Sequence, residues 1–408
     1  MPARRKYETS HPWLTFDLNL EKALPRLWIA LGEAQSKCQH IAGIPLQPQI
    51  AEEMHRLYLA RGLLATTAIE GNTLTEKEVI DLLDKKLKLP ASRKYLAQEI
   101  NNVLAACNGM LGEIKNHHLV PLSTQLIKKF NGQILRNLKL DAGIAPGEIR
   151  TYSVTVGNYR GAPAEDCEYL LDKLCRWLNT EFKATPGNEI ISGLLKSIVA
   201  HVYLAWIHPF GDGNGRTARL LEVKFLLEAG VPSGASHLFS NYYNLTRAEY
   251  YKQLDQTSKS NGNLRPFIEY AITGFVDQLR EQIETIKAQQ LGVSWVNYVH
   301  EKFGSQKTAA DRRQLEVVLA MAEKGGPIKP AEIKLLNPKL AAEYATKTPK
   351  TITRDLNRLK KMELVVAGPE GYQANIQVMH AFLPLSINRP PIEDETLDPQ
   401  LGLILPTD

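Results

Sequence analysis

Residues 188–207 constrain the fold most. Ile191, Leu194, Leu195, Ile198, Val202 and Ala205 cover much of the circumference of a helix. A helix with so wide an apolar surface has to be enclosed by other elements. It stops at His208-Pro209, because the residue before a proline disfavours the helical region. A glycine-rich loop follows. A second apolar helix then runs from about Asn214 to Ala229 and is closed by Gly230.

The flanking segments read mostly as further helices. Ile50, Met54, Leu57 and Leu64 recur at helical spacing and predict a helix over 48–66. Thr75 followed by Glu78 is a capping box opening the next. Helices are expected over 94–116, 121–138, 165–182, 246–258 and 264–290. Between them, 142–165 has four glycines and two prolines, with alternating β-branched residues at 153–156. It reads as a short hairpin or extended flap. Residues 308–380 form a distinct unit: three helices (311–324, about 330–336 and 348–362), then strands at 365–367 and 372–376. That order is the order of a winged helix. Residues 381–408 hold five prolines and read as an extended tail.

The predicted fold class is mainly α: a helical core with a β-hairpin flap and a small C-terminal winged helix-turn-helix domain. The expected divisions are an N-terminal helical region (1–110), a core (111–290), a linker (291–309), the winged helix (310–380) and the tail (381–408).

At 44% hydrophobic and 23% charged residues, a sizeable core is affordable. No run approaches the roughly 18 uncharged apolar residues of a membrane span, and no h-region follows the basic start. Cys38, Cys107, Cys167 and Cys175 form no CxxC pair, so reduced, packed thiols are expected and a zinc site is not. These features predict a cytoplasmic protein with no membrane partner. The net charge of +5 is concentrated: residues 301–380 hold 14 Lys and Arg against 9 Asp and Glu. A basic C-terminal unit makes DNA a partner to consider.

The sequence His208-Pro-Phe-Gly-Asp-Gly-Asn-Gly-Arg-Thr-Ala-Arg219 carries the chemistry. Gly211, Gly213 and Gly215 let backbone amides approach a ligand closely. The loop ends at a helix N-terminus, where unpaired N–H groups and the dipole favour an anion. Arg216 and Arg219 stand three apart on the first turn, and guanidinium forks suit phosphate. Asp212 would repel phosphates unless a metal lies between, which suggests Mg²⁺. The ordinary pKa of His208, near 6.5, suits a base that takes a proton from a hydroxyl.

His208–Arg219 resembles the Fic motif, HxFx[D/E]GNGRxxR, at every defined position, and the resemblance runs from about 60 to 285. It implies a protein adenylyltransferase that moves AMP from ATP onto a Ser, Thr or Tyr hydroxyl. On this resemblance His208 is the catalytic base, Phe210 a core anchor and Asp212 the Mg²⁺ ligand. Gly213, Asn214 and Gly215 would cradle the phosphates. Arg216, Thr217 and Arg219 complete the nucleotide-binding segment, with Arg219 nearest the γ-phosphate. The flap at 154–163 would dock the target protein by strand addition, with Val156, Gly157, Asn158 and Tyr159 nearest the nucleotide. Gly147-Glu-Ile-Arg150 resembles the family's approach to the flap. Tyr250 and Tyr251 are candidates for the adenine, and tyrosines at helical spacing are also ordinary core residues.

Thr66-Thr-Ala-Ile-Glu70-Gly71-Asn72 resembles the family's inhibitory motif, [S/T]xxxE[G/N], placed N-terminal to the core. It implies that Glu70 pairs with Arg219, withdraws it from the γ-phosphate and misorients the α-phosphate. Thr66 would orient the Glu70 carboxylate. Two alternatives stay open: a nucleotide-sensing winged-helix DNA-binding regulator, and an enzyme that removes AMP at the same site. In 348–362, Ile352, Leu356 and Leu359 form a core face. Thr351, Thr353, Arg354, Arg358 and Lys361 are left for solvent, DNA or a protein surface, and a homodimer is one such use.

Overall fold

A computed structural model of the chain describes residues 4–116, 120–157, 159–304 and 308–379. The chain forms two compact units that divide between Ile283 and Glu284.

The first unit is built from α1 (Tyr7–Ser10), α2 (Pro25–Gly43), α3 (Pro48–Ala68), α4 (Glu76–Leu83), α5 (Lys94–Lys115) and α6 (Thr124–Ile134), then a hairpin of β1 (Thr155–Val156) and β2 (Tyr159–Arg160). It continues through α7 (Cys167–Glu181), α8 (Glu189–Ile207), α9 (Asn214–Glu228), α10 (Leu238–Leu245), α11 (Arg247–Lys259) and the first part of α12 (Arg265–Phe303). Helices α8 and α9 pack along each other at the centre. α2 and α7 lie against α8, α5 and α6 lie against α9, and α3 packs on α4, α5, α9 and α10.

The apolar reading of 188–207 matches its place: Leu194, Ile198, Val202, Tyr203, Leu204 and Trp206 are all buried. Each such side chain contributes roughly 1.5–3 kcal/mol. This helix is long and apolar enough to cross a membrane by composition, but most of it is buried within the unit. Helix α9 is the surprise. Apart from Gly215 and its last residue it is buried throughout, although it carries Arg216, Arg219, Glu222 and Lys224. Buried charges need partners, and theirs come from α3, α5 and α10 as well as from α9 itself. The capping box at Thr75 and Glu78 is present, and all four cysteines are buried and free. Burial pushes Cys38, Cys107 and Cys175 up to about 12 and Cys167 up to about 11.

The second unit contains α13 (Ala309–Lys324), a 3-10 segment (Pro330–Leu335), α14 (Pro338–Ala345), α15 (Pro349–Lys361) and the antiparallel pair β3 (Val365–Gly368) and β4 (Gly371–Ala374). Ile328 adds a bridge to Tyr372. A Cβ on Gly371 would stand 2.6 Å from the Ile328 carbonyl oxygen, so this crossing requires glycine. Under α15, Asp355 accepts hydrogen bonds from Arg313 Nε at 2.8 Å, Gln314 Nε2 at 2.6 Å and the Tyr344 hydroxyl at 2.8 Å.

Two expected divisions are corrected. No domain boundary falls at 110, because Leu27, Leu31, Leu63 and Ile100 share one core with α8 and α9. Nor is 291–309 a linker. Helix α12 continues to Phe303, and Trp295, Val299 and Phe303 are buried in the second unit's core. The sequence reading also missed α10 and α14, two eight-residue helices. The predicted tail lies outside the described residues.

Candidate active site

The loop between α8 and α9 is shaped by its own side chains. His208 ends α8 in the left-handed region, at φ 49° and ψ 59°, a conformation that costs an L-residue about 1–2 kcal/mol. Asn214 closes the loop on Phe210: its Oδ1 accepts the Phe210 N–H at 2.9 Å, and its Nδ2 donates to the Phe210 carbonyl at 2.8 Å. Phe210 is a buried anchor, as expected. Gly213 takes φ +76°, with the Asn131 amide 3.0 Å from where a Cβ would stand. Asn131, wholly buried, donates to the Asp212 carbonyl at 2.9 Å and accepts the Gly147 N–H at 2.9 Å.

These bonds fix what two side chains do. The Asn214 side chain holds the loop rather than facing a ligand. Thr217 is buried, and both its N–H and its hydroxyl are spent on the Gly213 carbonyl, at 2.9 and 2.8 Å. Its side chain is therefore not available to a nucleotide. The first intrahelical bond begins at Thr217, which leaves the amides of Asn214, Gly215 and Arg216 as the orphan donors of the helix start.

His208 has its Nδ1 3.3 Å from the Ala205 carbonyl. A proton on Nδ1 makes that bond and leaves Nε2 as a lone pair. Burial chiefly pushes the imidazole down to about 4. The Ala205 bond opposes this, the Arg150 charge adds to it, and Glu70 and Asp212 pull the other way. The ring is therefore neutral at pH 7.

The two arginines are each held by carboxylates. Arg219, 1% exposed, donates from Nη2 to Glu70 Oε1 at 2.5 Å and to the Thr66 carbonyl at 3.0 Å. Thr66 thus acts through its backbone on Arg219, rather than through its hydroxyl on Glu70. Burial raises the Glu70 carboxyl, but the charge and hydrogen bond of Arg219, with the charge of Arg216, outweigh it and hold it below its ordinary value. Arg216 donates to Glu99 Oε1 and to Asp212 Oδ1, both at 3.1 Å. Burial chiefly raises the Glu99 carboxyl, against Arg216 and an Asn72 hydrogen bond. Glu99 is a site residue that the sequence reading missed, and Asn72, quoted there as the end of the Thr66–Asn72 segment, was given no role. Asn72 directly follows Glu70-Gly71 and donates to Glu99 Oε2 at 2.8 Å.

The arginines also have donors to spare. Arg219 Nε and Nη1 and Arg216 Nε are buried with no acceptor. Beside three orphan amides, these N–H groups suit a polyanion. Asp212 is 42% exposed at its side chain, and no group of three metal-ligand side chains occurs among the described residues. A single carboxylate fits Mg²⁺ held jointly with phosphates.

The turn that carries Glu70 has a second set of contacts. Gly71 takes φ +102° after α3. Arg247 donates to the carbonyls of Ala68, at 3.3 Å, and Ile69. Tyr251, half-exposed, reaches the Ile69 carbonyl at 3.5 Å. Tyr250 is a core residue: it is 3% exposed, its hydroxyl pairs with His201 Nε2 at 2.9 Å, and its ring stacks on Tyr243. In the flap, Val156 and Gly157 are exposed. Tyr159 turns inward and donates to the Trp206 carbonyl at 2.8 Å. Asn158 lies outside the described residues.

Residues 121–226 match the Fic/DOC family model. The protein adenylyltransferase fic-1 of Caenorhabditis elegans is 31% identical over 205 residues, covering 50% of this chain and 37% of that protein. The chain thus spans little more than a third of the length of this curated relative. The structure of Fic-1 (residues 134–508) from C. elegans aligns with a TM-score of 0.52 at 26% identity, over 64% of this chain and 73% of that one. A Fic family protein from Desulfovibrio desulfuricans G20 shares the fold over 88% of this chain and 98% of its own, with a TM-score of 0.54 at 20% identity. The helical core, the closed loop and the matched segment together make residues 121–226 a domain of the Fic/DOC family.

Proposed function

We propose that the chain is a protein adenylyltransferase that transfers AMP from ATP to a Ser, Thr or Tyr hydroxyl of a protein and is held in check by Glu70. One observation carries the reading: a neutral imidazole with its Nε2 free sits at one end of a loop whose other end gathers orphan amides and two buried arginines. The triphosphate lies on the amides of Asn214–Arg216, with Arg216 and Arg219 neutralising it. The target hydroxyl gives its proton to His208 Nε2, its oxygen attacks the α-phosphorus, and pyrophosphate leaves. Asp212 would hold Mg²⁺, which when bound supplies charge neutralisation between phosphate oxygens. The exposed strand at Thr155–Val156 supports target docking on the flap by strand addition.

Autoinhibition rests on the Glu70–Arg219 pair. With Glu70 in place, the Arg219 Nη2 group is committed and the γ-phosphate lacks it. Incubation with ATP labelled at the α- or γ-phosphate tests the activity. Protein-bound label from the α-phosphate alone, lost in His208→Ala, is expected. Label from the γ-phosphate overturns the reading.

The second unit supports a second activity. On α15 the exposed charged residues, Lys350, Arg354, Lys360 and Lys361, are all basic, while the acid of this helix, Asp355, is buried against Arg313. With the hairpin that follows it, this favours a winged helix that presents α15 to duplex DNA. Salt-sensitive retention of a labelled duplex is the expected result; its absence removes DNA as the partner.

A further inference from the structure

Arg150 is 4% exposed, and no ion pair engages it among the described residues. Its guanidinium is spent on main-chain carbonyls. Nε donates to His208 at 2.7 Å, Nη1 to Tyr152 at 2.6 Å, and Nη2 to Ala162 at 2.6 Å and to Ile207 at 3.4 Å. Tyr152 and Ala162 are the two roots of the flap. Ile207 and His208 are the end of α8. The backbone seals the same joint: Arg150 N–H donates to Pro209 at 3.0 Å, and Ala162 N–H to Ile207 at 3.2 Å.

A buried cation without a counterion is costly, so it persists only where its donors are well satisfied. A planar fork with five N–H groups can span four carbonyls at once, whereas an ammonium cannot. The carbonyl it holds most directly belongs to His208, the residue in the left-handed conformation. Space at the joint is full. A Cβ on Gly161 would stand 2.9 Å from His208 Cβ and 3.0 Å from Arg150 Nη2.

We propose that Arg150 is the positioning residue of the site: it fixes the backbone of His208 and couples the base to the flap that docks the target. The proposal rests on His208 being the base. The charge of Arg150 also faces the imidazole and favours its neutral form, while the Glu70 and Asp212 carboxylates face it from the other elements and oppose this.

The test uses the full chain carrying Glu70→Gly, with Arg150→Lys or Gly161→Ala added. Arg150→Lys keeps the charge and loses the fork. Gly161→Ala crowds the same joint from the flap and decides the matter if the lysine variant does not fold. In each, kcat for α-phosphate transfer should fall about 10²-fold while KM for ATP changes less than about threefold, since the phosphate-binding amides and arginines are untouched. A kcat within about threefold of the parent in a folded variant overturns the proposal. Histidine-selective NMR separates it from the AMP-transfer reading. The His208 ring signals should shift in Arg150→Lys whether or not the parent turns over ATP, and unchanged signals overturn the positioning role.

Discussion

Glu70 Oε1 occupies a place 2.2 Å from where a Cβ on Gly215 would stand, and the same oxygen meets Arg219 Nη2 at 2.5 Å. The Glu70 carboxylate therefore sits directly over the first turn of α9, the turn that holds the orphan amides. Glycine at 215 admits either the carboxylate or a phosphate oxygen. Glu70→Gly should raise incorporation of AMP from α-labelled ATP severalfold or more. It should also leave Arg219 buried and unpaired, which costs stability that bound ATP restores. A larger ATP-induced rise in melting temperature in Glu70→Gly than in the parent checks this. Equal labelling in both removes the inhibitory claim.

The turn that carries Glu70 is held from behind by Arg247, whose guanidinium caps the carbonyls of Ala68 and Ile69. A cation at a helix C-terminus is favourable through the dipole as well as the hydrogen bonds. Arg247→Ala should loosen the turn and raise AMP incorporation by less than Glu70→Gly does. Added to Glu70→Gly, it should change incorporation little, because the carboxylate it positions is gone. A further large rise in the double variant contradicts this.

Acid should affect both activity and stability through buried histidines. His208 and His237 are each pushed down to about 4, chiefly by burial. Their folded values lie below the ordinary 6.5, so the unfolded chain takes up these protons first as pH falls. Stability is then fully present above pH 6.5 and declines as pH drops toward 4. Denaturant midpoints of the first unit, measured from pH 7 to pH 4.5, should fall progressively. Replacing His237 with a neutral residue should flatten part of the fall. For AMP transfer, protonation of His208 should not limit the rate between pH 5.5 and 8. An acid limb centred near 6.5 in the Glu70→Gly protein shows an unperturbed base and contradicts the burial described.

Much of this was legible in the residues. The twelve-residue loop announces itself because its chemistry is contiguous, and α8 because its apolar surface is too wide to expose. Glu70 was legible only beside the loop. Glu99 and Asn72 were not, since their roles depend on α5 passing beside α9, and no local spacing encodes that. The partners of the α9 charges were hidden for the same reason: Glu70 and Glu99 pair with its arginines and Tyr243 donates to Glu222 at 3.0 Å, all from other elements. Thr217 looks like a ligand residue by position, yet the tight loop consumes its N–H and hydroxyl, while it takes only the side chain of Asn214 and leaves that residue's N–H to the helix start. Tyr250 went to the core because His201 satisfies its hydroxyl there. The linker at 291–309 read as a gap because Trp295, Val299 and Phe303 belong to a core formed by residues after 309.

Arg354 and Asp355 are neighbours on α15 with opposite surroundings. Arg354 is exposed, whereas Asp355 is 3% exposed and collects hydrogen bonds from Arg313, Gln314 and Tyr344. Their substitutions should separate binding from folding. Asp355→Ala leaves Arg313 buried without its carboxylate and should destabilise the second unit by about 3–5 kcal/mol, read as an early melting transition. Arg354→Ala removes no buried contact and should leave that transition in place. If α15 lies on duplex DNA, Arg354→Ala should weaken retention and reduce the slope of log affinity against log salt by about one, because one phosphate or base contact is lost. Arg354→Ala that leaves both affinity and slope unchanged places the duplex elsewhere. An intact second unit with no salt-sensitive retention leaves the basic face of α15 to a protein partner.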